Sequence, residues 1–337
     1  MISIQPVFDN IREVTVTLAN QQVFAFLTLG ATWTKWRAAD GTDLVSRYAN
    51  YHHYQSPGMY LGSTIGPMTG RIPNSEFCFE AKNYQVKCNH PHLLHSAEYG
   101  FSFINFDLVK TEETLQGATV VFQSDYRHPF MKGLVKIEIT YVVDHSGLTV
   151  FYEARANEDT LLNMTNHAYF NLDGDFDHPI TSHQLLINAD EVVLVDDDIL
   201  GTEKISVDDT LFDFRQRRFV MPSITDPLLK SQGANGLDHY FILKKPRDLD
   251  LVLTSKKSNR SLTIISTYPG ITIYTTNYPD PKVPIQTGRL LGLHSAIAME
   301  PHYPLRLDEK TSSPVYRLNK GEWYRHQIQY RLIENEK

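Results

Sequence analysis

Period-two alternation of apolar and polar residues, recurring from one end of this chain to the other, most constrains what it can fold into. Val135, Ile137, Ile139 and Tyr141 alternate with Lys136, Glu138, Thr140 and Val142. Successive side chains on a strand point to opposite faces, so this pattern predicts a half-buried strand. Asp144-His145-Ser146-Gly147 follows as a turn, and residues 148–154 return as the second strand of a hairpin. Residues 14–18 and 23–27 flank Asn20-Gln21-Gln22 in the same way, and residues 262–266 and 271–275 flank Tyr268-Pro269-Gly270. Near the end, Tyr324, His326, Ile328, Tyr330 and Leu332 alternate with Arg325, Gln327, Gln329 and Arg331.

Helix signals are short. Residues 40–50 and 208–211 could each make a turn or two, and no segment holds the i, i+3, i+4, i+7 pattern over three turns. Closely spaced strands separated by Gly, Pro, Asn and Asp turns predict an all-β sandwich or barrel. No internal repeat, low-complexity tract or linker divides the chain, so residues 1–337 are expected to form a single domain.

Composition excludes several functions. Hydrophobic residues make up 42% of the 337, too many for a disordered chain. A net charge of -7 with no Lys/Arg run argues against nucleic acid or an anionic membrane as partner. No apolar run reaches the ~18 residues of a membrane span. Met1-Ile2-Ser3-Ile4-Gln5-Pro6 lacks the cationic and apolar regions of a secretory signal, so a cytoplasmic location is expected. The two cysteines, Cys78 and Cys88, then read as reduced thiols, and neither sits in a CxxC pair.

Five segments carry candidate chemistry. Thr165-Asn166-His167-Ala168-Tyr169-Phe170-Asn171-Leu172 follows a run, 160–164, that reads as buried strand, and places a histidine in an aromatic setting. A histidine there can take or give a proton near neutral pH. Residues 62–74 are glycine-rich and carry Arg71, whose rigid fork of donors suits hydroxyls. His90, His92 and His95 have a spacing that suggests metal ligation, but no adjacent carboxylate or cysteine completes a site, and hydrogen bonding is the more economical role. Asp238 stands beside aromatics just before a strand-like run, where it could accept from hydroxyls. Glu300 ends the apolar run Ser295-Ala296-Ile297-Ala298-Met299, a setting that raises a carboxyl pKa and suits base chemistry.

In their order along the chain these segments resemble the aldose 1-epimerase (galactose mutarotase) family. Residues 62–72 look like its glycine-rich segment ending in a ligand-binding arginine, and 92–95 like its Asn-x-Leu-His box. Residues 165–172 are similar, nearly letter for letter, to its Thr-Asn-His-x-Tyr-Phe-Asn-Leu box. Residues 236–239 resemble Gly-x-Asp-His, 269–277 resemble Pro-Gly-x-x-x-Tyr-Thr-x-Asn, and 299–302 resemble Leu-Glu-x-Gln. The resemblance implies a large antiparallel β-sandwich and an enzyme that interconverts the α and β anomers of a hexose such as galactose or glucose. It implies Glu300 as catalytic base, His167 as catalytic acid, and Arg71, His95 and Asp238 as substrate-binding residues. Tyr169, Phe101 and Tyr240 would wall the sugar. The implied partner is a small monosaccharide, with no cofactor and no metal, and either a monomer or a homodimer fits.

The chain also departs from the family pattern. Gly70 stands where an Asn is usual, Pro67 where an Arg is common, Leu93 where a second His precedes the binding histidine, His302 in place of Gln, and Leu305 in place of Asp. Two rival functions follow. One is a glycoside hydrolase, for which Asp238 and Glu300 would be the carboxylate pair. The other is a carbohydrate-binding or regulatory protein that keeps the fold without turnover.

Overall fold

The computed structural model describes residues 1–56, 58–88, 90–231, 234–246, 248–304 and 316–334. The chain enters through β1 (Ile2–Phe8), β2 (Ile11–Thr17), β3 (Val23–Leu27) and β4 (Thr32–Arg37), which pair in order as a meander. A second meander follows: β5 (Asp107–Glu113), β6 (Gly117–Arg127), β7 (Leu134–Asp144) and β8 (Gly147–Ala156). The chain then passes repeatedly between two sheets through β9 (Tyr169–Phe170), β10 (His183–Ile187), β11 (Ala189–Val195), β12 (Gly201–Ser206), β13 (Arg218–Phe219) and β14 (Asp238–Leu243). It ends with β15 (Leu251–Ser255), β16 (Arg260–Ser266), β17 (Gly270–Tyr274), β18 (Ile297–His302) and β19 (Trp323–Glu334).

The second meander continues into a nine-stranded sheet ordered β5-β6-β7-β8-β19-β16-β15-β10-β13. The other large sheet has six strands ordered β9-β18-β17-β14-β11-β12. Every pairing among these strands is antiparallel. The fold is a large antiparallel β-sandwich. Among the described residues no helix is long and apolar enough to cross a membrane.

The expected hairpins 14–27 and 135–154 form as read. In the second, Asp144 Oδ1 accepts from the backbone N–H of Ser146 at 2.8 Å and of Gly147 at 3.1 Å, which closes the turn. Gly147 adopts a φ of +144°, and a Cβ there would stand 2.1 Å from the Tyr330 carbonyl of the neighbouring strand. The pair expected around Tyr268-Pro269-Gly270 does not form: β16 joins the nine-stranded sheet and β17 the six-stranded one. Period two sets which face of a strand is apolar and says nothing of which sheet it joins. The helical turns at 40–50 and 208–211 are absent as well. Asp40 Oδ1 instead caps a turn at the Thr42 N–H, and Arg37–Asp43 and Val45–Phe170 are isolated bridges. Only Thr160–Leu161 of the run 160–164 is strand, although all five residues are buried.

Inner-face side chains of the sheets meet in one apolar core that includes Trp33, Trp36, Phe122, Tyr141, Phe170, Ile271, Met299 and Tyr330. Trp33 packs against Phe170 at 5.7 Å and Tyr330 at 5.2 Å, linking the three largest sheets. The Tyr141 hydroxyl donates to the Ala31 carbonyl at 2.7 Å.

Two of the sequence motifs are zipped together through backbone. Thr64–Ile65 pairs with Thr165–Asn166, the Gly62 N–H donates to the His167 carbonyl, and the His167 N–H donates to the Ser63 carbonyl, both at 3.0 Å. Gly62 has a φ of +75°, and a Cβ on it would lie 1.9 Å from the Trp33 carbonyl oxygen. Gly62→Ala is therefore expected to lose about 2–4 kcal/mol in denaturant unfolding, through displacement of this segment from Trp33.

Candidate active site

Strand alternation sorts the six-stranded sheet into a core face and a cavity face. On β18, Ile297 and Met299 enter the core while Glu300 and His302 face the cavity. On β17, Ile271 and Ile273 are core, and Thr272 and Tyr274 line the cavity. On β14, Phe241 is core, and Asp238 and Tyr240 line the cavity. The glycine-rich segment brings Gly70 and Arg71 against this floor, and the pairing of Arg71–Ile72 with Leu93–Leu94 places His95 beside them. The cavity measures about 400 Å³. Glu300, His167, Arg71, His95 and Asp238 all line it.

The His167 Nε2 stands 3.4 Å from Glu300 Oε1, with both side chains almost fully buried. His167 Nδ1 and Glu300 Oε2 are buried without a hydrogen-bond partner within the protein. The ring of His167 is stacked on Tyr169 at 5.0 Å and met edge-on by His95 at 5.2 Å. Arg71 Nη1 donates to Asp238 Oδ2 at 3.1 Å.

Burial dominates the electrostatics. It drives the Glu300 carboxyl well above the ordinary range, the Asp238 charge adds to this, and Arg71 opposes it. Burial holds His167 down at about 4, with Arg71 and His302 adding to the effect. His95 is lowered by burial and then by His167 and Arg71. Asp238 is raised by burial, against the pull of Arg71. The site therefore favours a protonated Glu300 facing a neutral His167.

Backbone contacts set the tautomers. The Gly70 N–H donates to His95 Nδ1 at 3.1 Å, so the proton of neutral His95 sits on Nε2. One ligand atom from each of His95, His167 and Glu300 lies within 4.8 Å of the others, a spacing that a cation could use. The His95 tautomer instead makes that ring a hydrogen-bond donor to a ligand oxygen. His302 Nδ1 donates to the Tyr303 carbonyl at 2.5 Å and its Nε2 accepts from the Thr272 hydroxyl at 2.8 Å. Both nitrogens of His302 are thus committed to the framework, and burial lowers its pKa to about 4.

Several expectations need correction. Phe101 is fully buried in the core, edge-on to Tyr126 at 5.0 Å, and does not wall the cavity as Tyr169 and Tyr240 do. His92 Nδ1 accepts from the Asn74 N–H, and His90 is exposed, so neither joins His95. Gly70 and His302, two departures from the family pattern, line the cavity, while Pro67 does not. Leu305 lies outside the described residues. The reading from sequence missed Met59, Tyr60, Thr272, Tyr274 and Tyr278. Thr272 and Tyr274 share the period-two face of a recognisable strand and were open to detection. Tyr60 sits in a loop with a φ of +55°, and no local pattern marks it.

For the hydrolase rival, the group against Glu300 is His167, and Asp238 is tied to Arg71. A glycosidase sets a second carboxyl across the sugar bond from the first. The chain is an isomerase of the carbohydrate class. The chain belongs to the aldose 1-epimerase family, whose model matches residues 14–331. Galactose mutarotase of Sus scrofa is 30% identical over 304 residues, covering 89% of this chain and 86% of that protein. Maltose epimerase of Levilactobacillus brevis is 27% identical over 277 residues, covering 78% and 79%. Among solved structures, an aldose epimerase homologue from C. elegans superposes with a TM-score of 0.82 at 27% identity, covering 100% of both chains. Galactose 1-epimerase from Lactobacillus acidophilus NCFM gives a TM-score of 0.87 at 22% identity, covering 100% and 99%, and shares the fold.

The electrostatics give a direct test. Asp238→Asn removes a negative charge that raises Glu300, so the Glu300 carboxyl pKa is expected to fall when followed by carboxyl infrared absorption. An unchanged value would contradict the coupling.

Proposed function

We propose that this protein interconverts the α and β anomers of a hexose such as galactose or glucose by opening and closing the ring, with Glu300 as base and His167 as acid. The observation that supports the reading above all is the 3.4 Å approach of these two buried groups on the cavity floor. Glu300 takes the proton of the C1 hydroxyl while His167 gives one to the ring oxygen, and the C1–O5 bond breaks to leave the free aldehyde. Rotation about C1–C2 presents the other carbonyl face, and both transfers then reverse.

Proton count and burial agree with this scheme. The ring-opening step starts from a carboxylate and an imidazolium and ends with a carboxylic acid and a neutral imidazole. That end state is the one burial favours, so the site stabilises the pair at the stage where the open aldehyde is present. One proton stays on the pair throughout, and nothing else is consumed. Arg71, His95 and Asp238 would hold hydroxyls and orient C1 and O5, His95 donating from Nε2 and Asp238 accepting.

Polarimetry on freshly dissolved α-galactose and α-glucose tests the reading. Glu300→Gln and His167→Asn are each expected to lower kcat by about 10²–10⁴-fold. Full rate in both variants would overturn the assignment. The pH profile gives a second test. Activity needs one proton on the pair and falls on the acid side when a second binds. Since His167 is held at about 4, the acid limb of kcat/KM is expected near pH 4. A limb at the ordinary histidine value near 6.5 would contradict it.

A further inference from the structure

His95 reaches the cavity from backbone that residues with a Cβ rarely adopt. His95, Ser96 and Ala97 have φ of +52°, +66° and +45°, the sole run of three residues at positive φ among the described residues. None of the three is a glycine, asparagine or aspartate, the residues that enter this left-handed region most readily. Each is therefore strained, and such strain persists where surrounding contacts over-determine it.

One side chain supplies much of that constraint. Ser96 is 2% exposed. Its Oγ accepts from the Met68 N–H at 3.0 Å and donates to the Met68 carbonyl at 3.2 Å. A single hydroxyl thus satisfies both backbone groups of one residue, as a paired strand would. Gly70 makes the matching pair with His95: its carbonyl accepts the His95 N–H at 2.9 Å, and its N–H donates to His95 Nδ1 at 3.1 Å. Gly100 packs so closely behind the turn that a Cβ on it would stand 2.8 Å from the His95 carbonyl. The direction of the His95 ring follows from this turn. It meets His167 and Tyr60 edge-on, each at 5.2 Å, and with Nδ1 taken by Gly70 its Nε2–H is left for a ligand. A turn relaxed to ordinary φ would swing the ring away and break the Gly70 contact that fixes the tautomer.

We infer that Ser96 is a positioning residue: its hydroxyl holds the left-handed turn that aims His95 into the cavity and keeps the ring proton on Nε2. Ser96 is not among the residues that line the cavity, so it acts through His95. Its effect on rate rests on the mutarotase reading above.

The experiment compares Ser96→Ala with the wild type by polarimetry on α-galactose and α-glucose, alone and in a His95→Asn background. Alanine keeps the strain and loses both hydrogen bonds, whereas asparagine at 95 tolerates positive φ and removes the imidazole. Ser96→Ala is expected to lower kcat/KM about tenfold or more with His95 present. In His95→Asn it is expected to change kcat/KM by less than about twofold, because residues that act as one unit are not additive. NMR of ¹⁵N-labelled histidine gives a readout independent of turnover. His95 of the wild type is expected to show a protonated Nε2 and a bare Nδ1, and in Ser96→Ala to shift toward a mixture of tautomers. Calorimetric unfolding confirms that the variant is folded. Ser96→Gly, which loses the hydroxyl and relieves the strain, carries the same comparison if the alanine variant does not fold, with a smaller loss that again depends on His95. Wild-type kcat/KM in the variant, an equal loss in both backgrounds, or an unchanged tautomer would overturn the role of Ser96 and leave the mutarotase reading standing. Absence of any acceleration by the wild type would instead overturn that reading, and the tautomer would still decide the role of Ser96.

Discussion

Burial of the Glu300 carboxyl is the constraint around which the site is organised. An isolated carboxylate in an apolar interior costs many kcal/mol, and such a group protonates instead. Here the residue sits on β18, inside the six-stranded sheet, with Met299 in the core on the opposite face and β9 and β17 on either side. Only 2% of the residue's surface is exposed, and no hydrogen bond within the protein reaches Oε2. The nearest basic group is the equally buried His167, so the proton state of one determines that of the other. Arg71 is close enough to oppose the upward shift but is itself tied to Asp238. Burial thus shifts the two groups in opposite senses, Glu300 toward its protonated form and His167 toward its neutral one.

Precision in that pair comes chiefly from backbone hydrogen bonds. His167 is fixed by hydrogen bonds to Gly62 and Ser63 on both its N–H and its carbonyl. Asn166 reinforces the turn, donating from Nδ2 to the Gly62 carbonyl at 2.9 Å and accepting the Ala168 N–H at 3.0 Å. His95 is bracketed by Gly70, whose N–H reaches its ring and whose carbonyl accepts its N–H. The glycine-rich segment therefore works as a rigid clip that seats two histidines and one arginine over the sheet.

Much of this is legible in the sequence. Alternation at 135–142 and 324–332 identified β7 and β19, and the turn residues at 144–147 joined β7 to β8. That Arg71, His95, His167, Asp238 and Glu300 would come together in one cavity was suggested by an ordered set of motifs, because each box couples a polar side chain to the glycines or aromatics that seat it. What sequence could not supply was geometry. The hairpin expected at 262–275 failed because period two fixes a face and leaves sheet membership open. Phe101 and Tyr60 are both aromatics near glycine-rich turns, yet one entered the core and the other the cavity. Direction in a loop is decided by backbone dihedrals such as the positive φ of Tyr60, which composition does not encode.

The central claim is that the free enzyme holds its single proton on Glu300 rather than on His167. The most direct measurement is NMR of the free enzyme at pH 7, reading the ring nitrogens of ¹⁵N-labelled His167 and the carboxyl carbon of ¹³C-labelled Glu300. A neutral imidazole with a protonated carboxyl is the expected result. An imidazolium facing a carboxylate would contradict the account, since it would show that attraction within the pair outweighs the burial on which the mechanism is built.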